Sequence, residues 1–492
     1  MKPVHFGIVV EKLQHILDTE KDAKIHFLVC DGGLKPCYTN RTADASLCSI
    51  CTFNTAVALK PFGNRINVIR LSDYRDNELP SIEYNSTNDI KNLNYRGVNI
   101  GYGALSSYIS FTRNLEPVMD AKFRDYFDKL LISQVRLTDT LLNIIDKEQI
   151  NTCYFFNGRT ADTRPLYDIC KTREISFISL EMIKKKEDEF YINEFDNCLP
   201  HDIDFHHSRM MNLWETSPDS LEDKIASGSS FYDNRKNGVL VRDRRVYTAD
   251  QEKGKLPDDW NGSKKNIAIF VSSEDEFAAI GDIFEKLALF KTQEEGIINI
   301  LERFKEDKEK HFYVRIHPNL KKIKYSYHTR IANLDKRYKN VTVVQANSSI
   351  STYALIDGAD TVIAFGSSTG AEGCYWGKPV ILLAGSLYYH LDIAYKPKTP
   401  AELYDLLEQN LEPKPKVEAI KFSYYLMRYT MYTRKNKFSP VPIRIFGKKI
   451  GLGHHHLKVF GSKLLFRLAE RSLQILGKLR SSQKLIIPKK GI

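Results

Sequence analysis

The sequence predicts an α/β protein: two Rossmann-like domains facing a cleft, followed by a basic amphipathic helical tail. Three observations lead there. Short apolar runs rich in Val, Ile and Phe alternate with helical patterns along most of the 492 residues, as they do where helices cover both faces of a mostly parallel sheet. Two of these runs stop abruptly, in Arg315-Ile316-His317-Pro318-Asn319 and in Ala364-Phe365-Gly366-Ser367-Ser368-Thr369-Gly370. An open α/β sheet holds its ligand beyond such carboxyl ends of strands. Finally, a polar stretch at 249–265, broken by Gly254, Pro257 and Gly262, divides the chain into two halves.

The length suits two or three domains, and a hydrophobic content of 42% is enough for real cores. No run of about 18 apolar residues exists, so no membrane-spanning helix is expected. The start, Met1 to Lys12, reaches charge too early for a secretory signal, which predicts a cytoplasmic compartment. The net charge of +11 lies in one place: 444–490 holds twelve basic residues against the single acid Glu470. The remaining body is formally neutral, which argues against a nucleic-acid groove.

Residues 1–255 form the first predicted domain. Its strands are 25–30, 152–156 and 176–180, and its main helix is 119–147, with Phe123, Tyr126, Phe127, Leu130 and Leu131 at helical spacing. Asp31, in Cys30-Asp31-Gly32-Gly33, follows the first strand and is a cleft-facing candidate general base; an Asp-Gly turn explains it equally. Asn157-Gly158-Arg159 ends the next strand and could bind a charged acceptor or a phosphate. Cys30, Cys37, Cys48 and Cys51 lie within 22 residues. Four thiols so close point to a metal, zinc or alternatively an iron–sulfur cluster, rather than to disulfides. Cys153, Cys170, Cys198 and Cys374 are scattered and read as buried. The segment from Cys198 to His207 reads as a solvated loop.

Residues 264–440 form the second predicted domain. Its strands are 267–271, 312–316, 341–344, 361–365 and 380–384; its helices are 280–291, 293–308, 351–357 and 401–409. Pro318 stops its strand, having no N–H and a locked φ, and presents His317 to a phosphate oxygen or a nucleobase. Arg315 shares that strand end. Ser367, Ser368 and Thr369 offer hydroxyls and N–H groups at a helix start, a phosphate-binding arrangement that N-capping also explains. Gly366 and Gly370 would let a ligand approach the backbone. Glu372 could reach a ribose hydroxyl, or merely favour the helix dipole. Glu274 and Asp275, after the first strand, could contact sugar hydroxyls, hold a cation or act as a base.

Residues 441–492 form the tail. Leu457, Phe460, Leu464, Leu465, Leu468, Ile475, Leu476 and Leu479 fall near one helical face, with Lys463, Arg467, Arg471 and Lys478 elsewhere. A helix of this type lies on an anionic membrane surface, so a peripheral position on the inner face of the cell membrane is expected.

On His317-Pro318, the 366–369 run with Gly377-Lys378-Pro379-Val380 after it, the 272–277 and 156–159 segments and the four-cysteine loop, the chain resembles bacterial capsule and surface-polysaccharide biosynthesis proteins of the GT-B glycosyltransferase type. The resemblance covers most of residues 25–385. It implies a nucleotide-sugar donor in the second domain, a lipid-linked or polysaccharide acceptor in the first, and no other nucleotide cofactor. Enzymes using CMP-activated acidic sugars carry similar His-Pro and Ser/Thr motifs at the donor. By that likeness His317 and Ser367 to Thr369 bind the nucleotide and its phosphate. By their own placement at strand ends Arg315 and Glu372 join that donor site, Asn157 and Arg159 serve the acceptor, and Asp31, Glu274 or Asp275 supplies the base. Those enzymes usually carry an acidic pair before glycine, where this chain has Cys30-Asp31-Gly32. Open alternatives are a sugar-nucleotide epimerase, a polyol-phosphate transferase, and a non-catalytic scaffold of a capsule assembly complex.

Overall fold

The computed structural model describes residues 3–74, 80–186, 189–241 and 246–428, together with the short strands Arg434–Lys435, Ile443–Ile445 and Lys448–Ile450. The tail predicted at 441–492 otherwise lies outside the described residues. Among the described residues no helix is long and apolar enough to cross a membrane.

In the first half, β1 (His26–Val29) and β2 (Asn67–Arg70) pair in parallel, with the helix Ala45–Leu59 between them in sequence. β3 (Thr152–Phe156) pairs in parallel with β4 (Ser176–Lys186), which pairs antiparallel with β5 (Glu189–Asp196). The expectation of one Rossmann-like sheet through 25–30, 152–156 and 176–180 is therefore corrected, because β1 belongs to a separate two-stranded sheet. The cause is strand length. β4 runs for 11 residues while β3 has 5, and the backbone groups beyond Leu180 find partners in β5, which turns back along β4. The expected helix is present as Ala121–Glu148. The Asp120 carboxylate accepts the Phe123 N–H at its start, and Phe123, Phe127, Leu130 and Leu131 pack with Ala104, Leu105 and Ile109 of the helix Ile100–Thr112.

All five strands expected in the second half form, and all pair in parallel: β6 (Lys265–Phe270), β7 (Lys310–Arg315), β8 (Val341–Val344), β9 (Thr361–Ala364) and β10 (Val380–Leu382). Alternate residues face opposite sides, as strand geometry requires. Ile267, Ile269, Phe312, Val314, Ile363 and Ile381 meet Ile297, Ile300 and Leu301 of the helix Gln293–Phe304, with Leu403 and Leu407 of the helix Pro400–Glu408. Ala268, Phe270, Tyr313, Val362, Val380 and Leu382 point the other way. With both faces covered, these strands read as continuous apolar runs.

That second face is covered partly by residues early in the chain. The helices Ile203–Thr216 and Leu221–Lys236 contribute Met210, Leu213, Phe231 and Tyr232, and the late helix Lys416–Arg428 contributes Ile420, Tyr424 and Tyr425. The Tyr232 hydroxyl donates to the Ala419 carbonyl at 2.7 Å. His206, only 3% exposed, bonds through its two ring nitrogens to the Tyr425 hydroxyl at 2.7 Å and the Pro200 carbonyl at 2.9 Å. The segment read as a solvated loop thus enters the core. Cys153, Cys170, Cys198 and Cys374 are buried, as expected.

The sheet order is β8-β7-β6-β9-β10. Successive strands step one way from β6 to β8, then the order reverses from β6 to β9. A crevice opens where it reverses, beyond the carboxyl ends of β6 and β9.

Candidate functional site

That crevice is a pocket. Its floor is Phe270 and Val271 after β6, with Arg315, His317 and Pro318 after β7. Ser367, Ser368, Thr369 and Glu372 close one side, and Arg235, Tyr247, Thr248, Thr352 and Tyr353 close the others. A second cleft of about 1000 Å³ shares Val246, Tyr247, Arg315 and Pro318 with it and adds Arg113, Lys321 and Lys322. All six residues expected at the donor thus line one cavity.

The polar groups there are incompletely matched. Arg315 is 2% exposed. One of its Nη groups donates to the Gln345 carbonyl at 3.1 Å, its Nε has no partner, and among the described residues no carboxylate pairs with it. Burial alone pushes its pKa down to about 10. Arg235 reaches in from the helix Leu221–Lys236 and donates through Nη2 to Glu372 at 3.1 Å, leaving its own Nε unpartnered. The Thr248 and Thr369 hydroxyls are also buried without partners. Arg235 thus has Glu372 as its carboxylate, and Arg315 has none among the described residues. A buried positive charge lacking a counter-ion is costly, and an anion supplied by a ligand removes that cost.

His317 adds a neutral donor. Its Nδ1 accepts the Asn319 N–H at 3.1 Å, capping the turn Pro318–Leu320. An accepting Nδ1 carries no proton, so the ring's proton sits on Nε2. Burial, with Arg113 and Arg315 nearby, pushes its pKa down to about 4. Tyr247 packs edge-on against the ring, 4.8 Å between centroids.

Glu372 is 2% exposed and already engaged. Arg235 bonds Oε1 at 3.1 Å, Ser368 Oγ donates to the same oxygen at 3.1 Å, and the Tyr353 hydroxyl donates to Oε2 at 2.5 Å. It orients Arg235, whose pKa it raises. The glycines have a role other than ligand approach. A Cβ on Gly366, at φ +77°, would lie 2.6 Å from the Gly385 carbonyl oxygen, and one on Gly370 would strike the Tyr388 hydroxyl. Both serve packing.

The expected bases are spread out and occupied. Asp31 accepts from the Ser72 N–H at 3.2 Å and from the Ser72 hydroxyl, and it does not line the pocket. Asp275 is held by Arg113 through two bonds, of 2.7 and 3.0 Å. Glu274 accepts from Gln293 at 3.2 Å, and burial raises its pKa. Arg159 donates to the Glu276 carbonyl at 3.1 Å and to Ser110 Oγ at 2.8 Å, so it bridges the two halves. Asn157, at φ +62°, donates to Glu181 at 2.5 Å.

Among the described residues no group of three or more His, Cys, Asp or Glu side chains is arranged to hold a metal. Zinc or iron–sulfur ligation by Cys30, Cys37, Cys48 and Cys51 is therefore not supported. Their sulfurs take other bonds: Leu34 N–H to Cys30 at 3.4 Å, Asn40 N–H to Cys37 at 3.3 Å, and Asn40 Nδ2 to Cys48 at 3.2 Å. Burial pushes the Cys37 thiol up to about 11.

Arg235, Tyr247, Thr248, Tyr353 and Glu181 escaped the sequence reading. Each lies in ordinary helical, loop or strand sequence, and only the fold brings it to a strand end.

No family model and no curated protein matches the chain. Similar solved structures include a KpsC β-Kdo 2,4-transferase of Thermosulfurimonas dismutans (12% identity, TM-score 0.35, 55% of this chain and 78% of that one). A putative UDP-N-acetylglucosamine 2-epimerase of Listeria monocytogenes also matches (10%, 0.25, 83% and 97%). So does the Methanocaldococcus jannaschii UDP-GlcNAc 2-epimerase in complex with UDP-GlcNAc and UDP (10%, 0.26, 83% and 100%). With TM-scores this low the likenesses are distant, and the functional reading rests on the geometry of the pocket.

Proposed function

We propose that the chain is a glycosyltransferase that moves a sugar from a nucleotide-sugar donor to a capsule or surface-glycan acceptor. The observation that carries the reading is the buried Arg315, without a carboxylate partner among the described residues, in the same pocket as Arg235. A donor phosphate would supply the missing counter-charge. His317 Nε2–H and the Thr248 and Thr369 hydroxyls are neutral donors for its remaining oxygens. As the sugar leaves, negative charge grows on the departing phosphate. Fixed guanidinium and N–H dipoles in a pocket sheltered from water stabilise that charge without reorganising. The adjoining cleft has room for the rest of the donor. In this reading the basic run 444–490, described only at 444–445 and 448–450, holds the enzyme at an anionic membrane.

The test is a thermal-shift panel of CMP, CDP, UDP, GDP and dTDP on the native chain and on His317→Ala. A ligand that binds only the folded state raises the melting temperature by mass action. One nucleotide should stabilise the native chain, and the variant should lose most of that gain. A native chain indifferent to all five would overturn the reading.

A further inference from the structure

The carboxyl ends of β3 and β4 carry a second cluster that the phosphate pocket does not use. The two strands run in parallel with Phe156 opposite Leu180, so Asn157 and Glu181 leave the paired region side by side. The local backbone is shaped for it. Asn157 sits at φ +62° and Gly158 at φ +86°. A Cβ on Gly158 would lie 2.6 Å from Leu199 Cδ2 and 2.8 Å from Phe155 Cε2. That turn aims the Asn157 amide at Glu181 Oε2, 2.5 Å away, while the Met182 N–H bonds Oε1 at 2.9 Å. Glu181 makes no ion pair within bonding distance among the described residues and stays partly open to solvent. His201 Nδ1 is buried with no partner, and His201 and Glu181 both lie in the field of Arg159.

Arg159, two residues beyond Asn157, ties the cluster to the loop after β6. Arg159 lies in the combined field of Glu181, Glu276 and Asp275. Asp275 in turn acts on His317. Arg159 bonds the Glu276 carbonyl directly. Asp31 and Asp275 are tied to Ser72 and Arg113, whereas Glu181 is held by Asn157 at the ends of β3 and β4, in the field of Arg159.

Resting on the transferase reading above, we propose that Glu181 is the general base for the acceptor hydroxyl. The acceptor O–H proton passes to a Glu181 oxygen. The acceptor oxygen bonds the anomeric carbon as the anomeric carbon–phosphate oxygen bond breaks. The electron pair of that bond leaves on the nucleotide phosphate, against Arg235 and Arg315. Burial raises the pKa of Glu181, with Arg159 opposing, and a stronger base suits this proton transfer.

The experiment compares the native chain with Glu181→Gln and Glu181→Asp. Each is offered a panel of CMP-, UDP-, GDP- and dTDP-sugars with a lipid-extract acceptor, and nucleotide release and nucleotide-dependent melting are both read. The expected result is a loss of turnover of about 100-fold or more in Glu181→Gln, a smaller loss in Glu181→Asp, and an unchanged nucleotide-dependent melting shift in both. Turnover by Glu181→Gln within about threefold of native would overturn the base, as would loss of the melting shift together with turnover, which marks a structural role. A native chain that binds a nucleotide yet consumes no sugar nucleotide overturns the base as well. A native chain that binds no nucleotide defeats the transferase reading itself, so the two failures are distinct.

Discussion

The Arg113 guanidinium clasps the Asp275 carboxylate through two parallel hydrogen bonds, Nε at 2.7 Å and Nη2 at 3.0 Å. Arg113 ends the helix Ile100–Thr112 in a left-handed conformation at φ +59°, with its N–H on the Ile109 carbonyl, and Nη1 also reaches the Asn319 carbonyl at 3.0 Å. One side chain from the first half thus fixes the loops after both β6 and β7. The carboxylate read from sequence as a candidate base acts in the fold as an anchor.

Breaking a partly buried, bidentate pair strands its partner's charge. Arg113→Ala should therefore cost about 2 kcal/mol in urea unfolding. Asp275→Asn should cost a similar amount, and the double variant less than the sum. Additive losses would mean that the pair is not coupled.

Arg315 should show the opposite balance between stability and binding. Replacing a buried, uncompensated guanidinium by a side chain of similar length removes its desolvation cost. Arg315→Met should be about 1–2 kcal/mol more stable than the native chain without ligand, yet gain nothing from nucleotide. A variant less stable than native would show that Arg315 is already satisfied within the protein.

His201, His317 and His328 are pushed down by burial to about 3, about 4 and about 4. Between pH 6.5 and 4 the unfolded chain takes up protons that the folded chain refuses, so stability falls as the pH falls. His317→Gln removes one of these groups, and its melting temperature should decline less steeply across that window. Parallel slopes for the two proteins would contradict the assignment of a buried neutral ring.

Gly366 tests the packing explanation of the 366–370 run. A Cβ there would meet a backbone carbonyl that cannot move aside, in a left-handed backbone. Gly366→Ala should lose about 2–3 kcal/mol of stability, measured by denaturant midpoint at constant slope. A neutral substitution would mean that the Gly385 strand end can shift.

The second sheet was legible because its strands are buried on both faces. Ile267-Ala268-Ile269-Phe270 and Val380-Ile381-Leu382 must be apolar throughout. His317 and Ser367 to Thr369 were legible for the same reason: polarity begins where such a strand ends. Arg235 was not, since it stands 137 residues from Glu372 and its helix has an ordinary surface pattern. Glu181 continues a strand whose pairing changes from parallel to antiparallel around it, which no local pattern reveals. The four cysteines, close in sequence, form no group of three or more arranged to hold a metal among the described residues.

The most direct measurement is a calorimetric titration of CMP, UDP and GDP into the native chain and into Arg315→Met at pH 7. The account predicts saturable binding of one nucleotide to the native chain, weakened at least about 100-fold in the variant, as expected when a buried charge-assisted contact is lost. Equal binding by both proteins, or none by the native chain, would contradict a phosphate site built on Arg315.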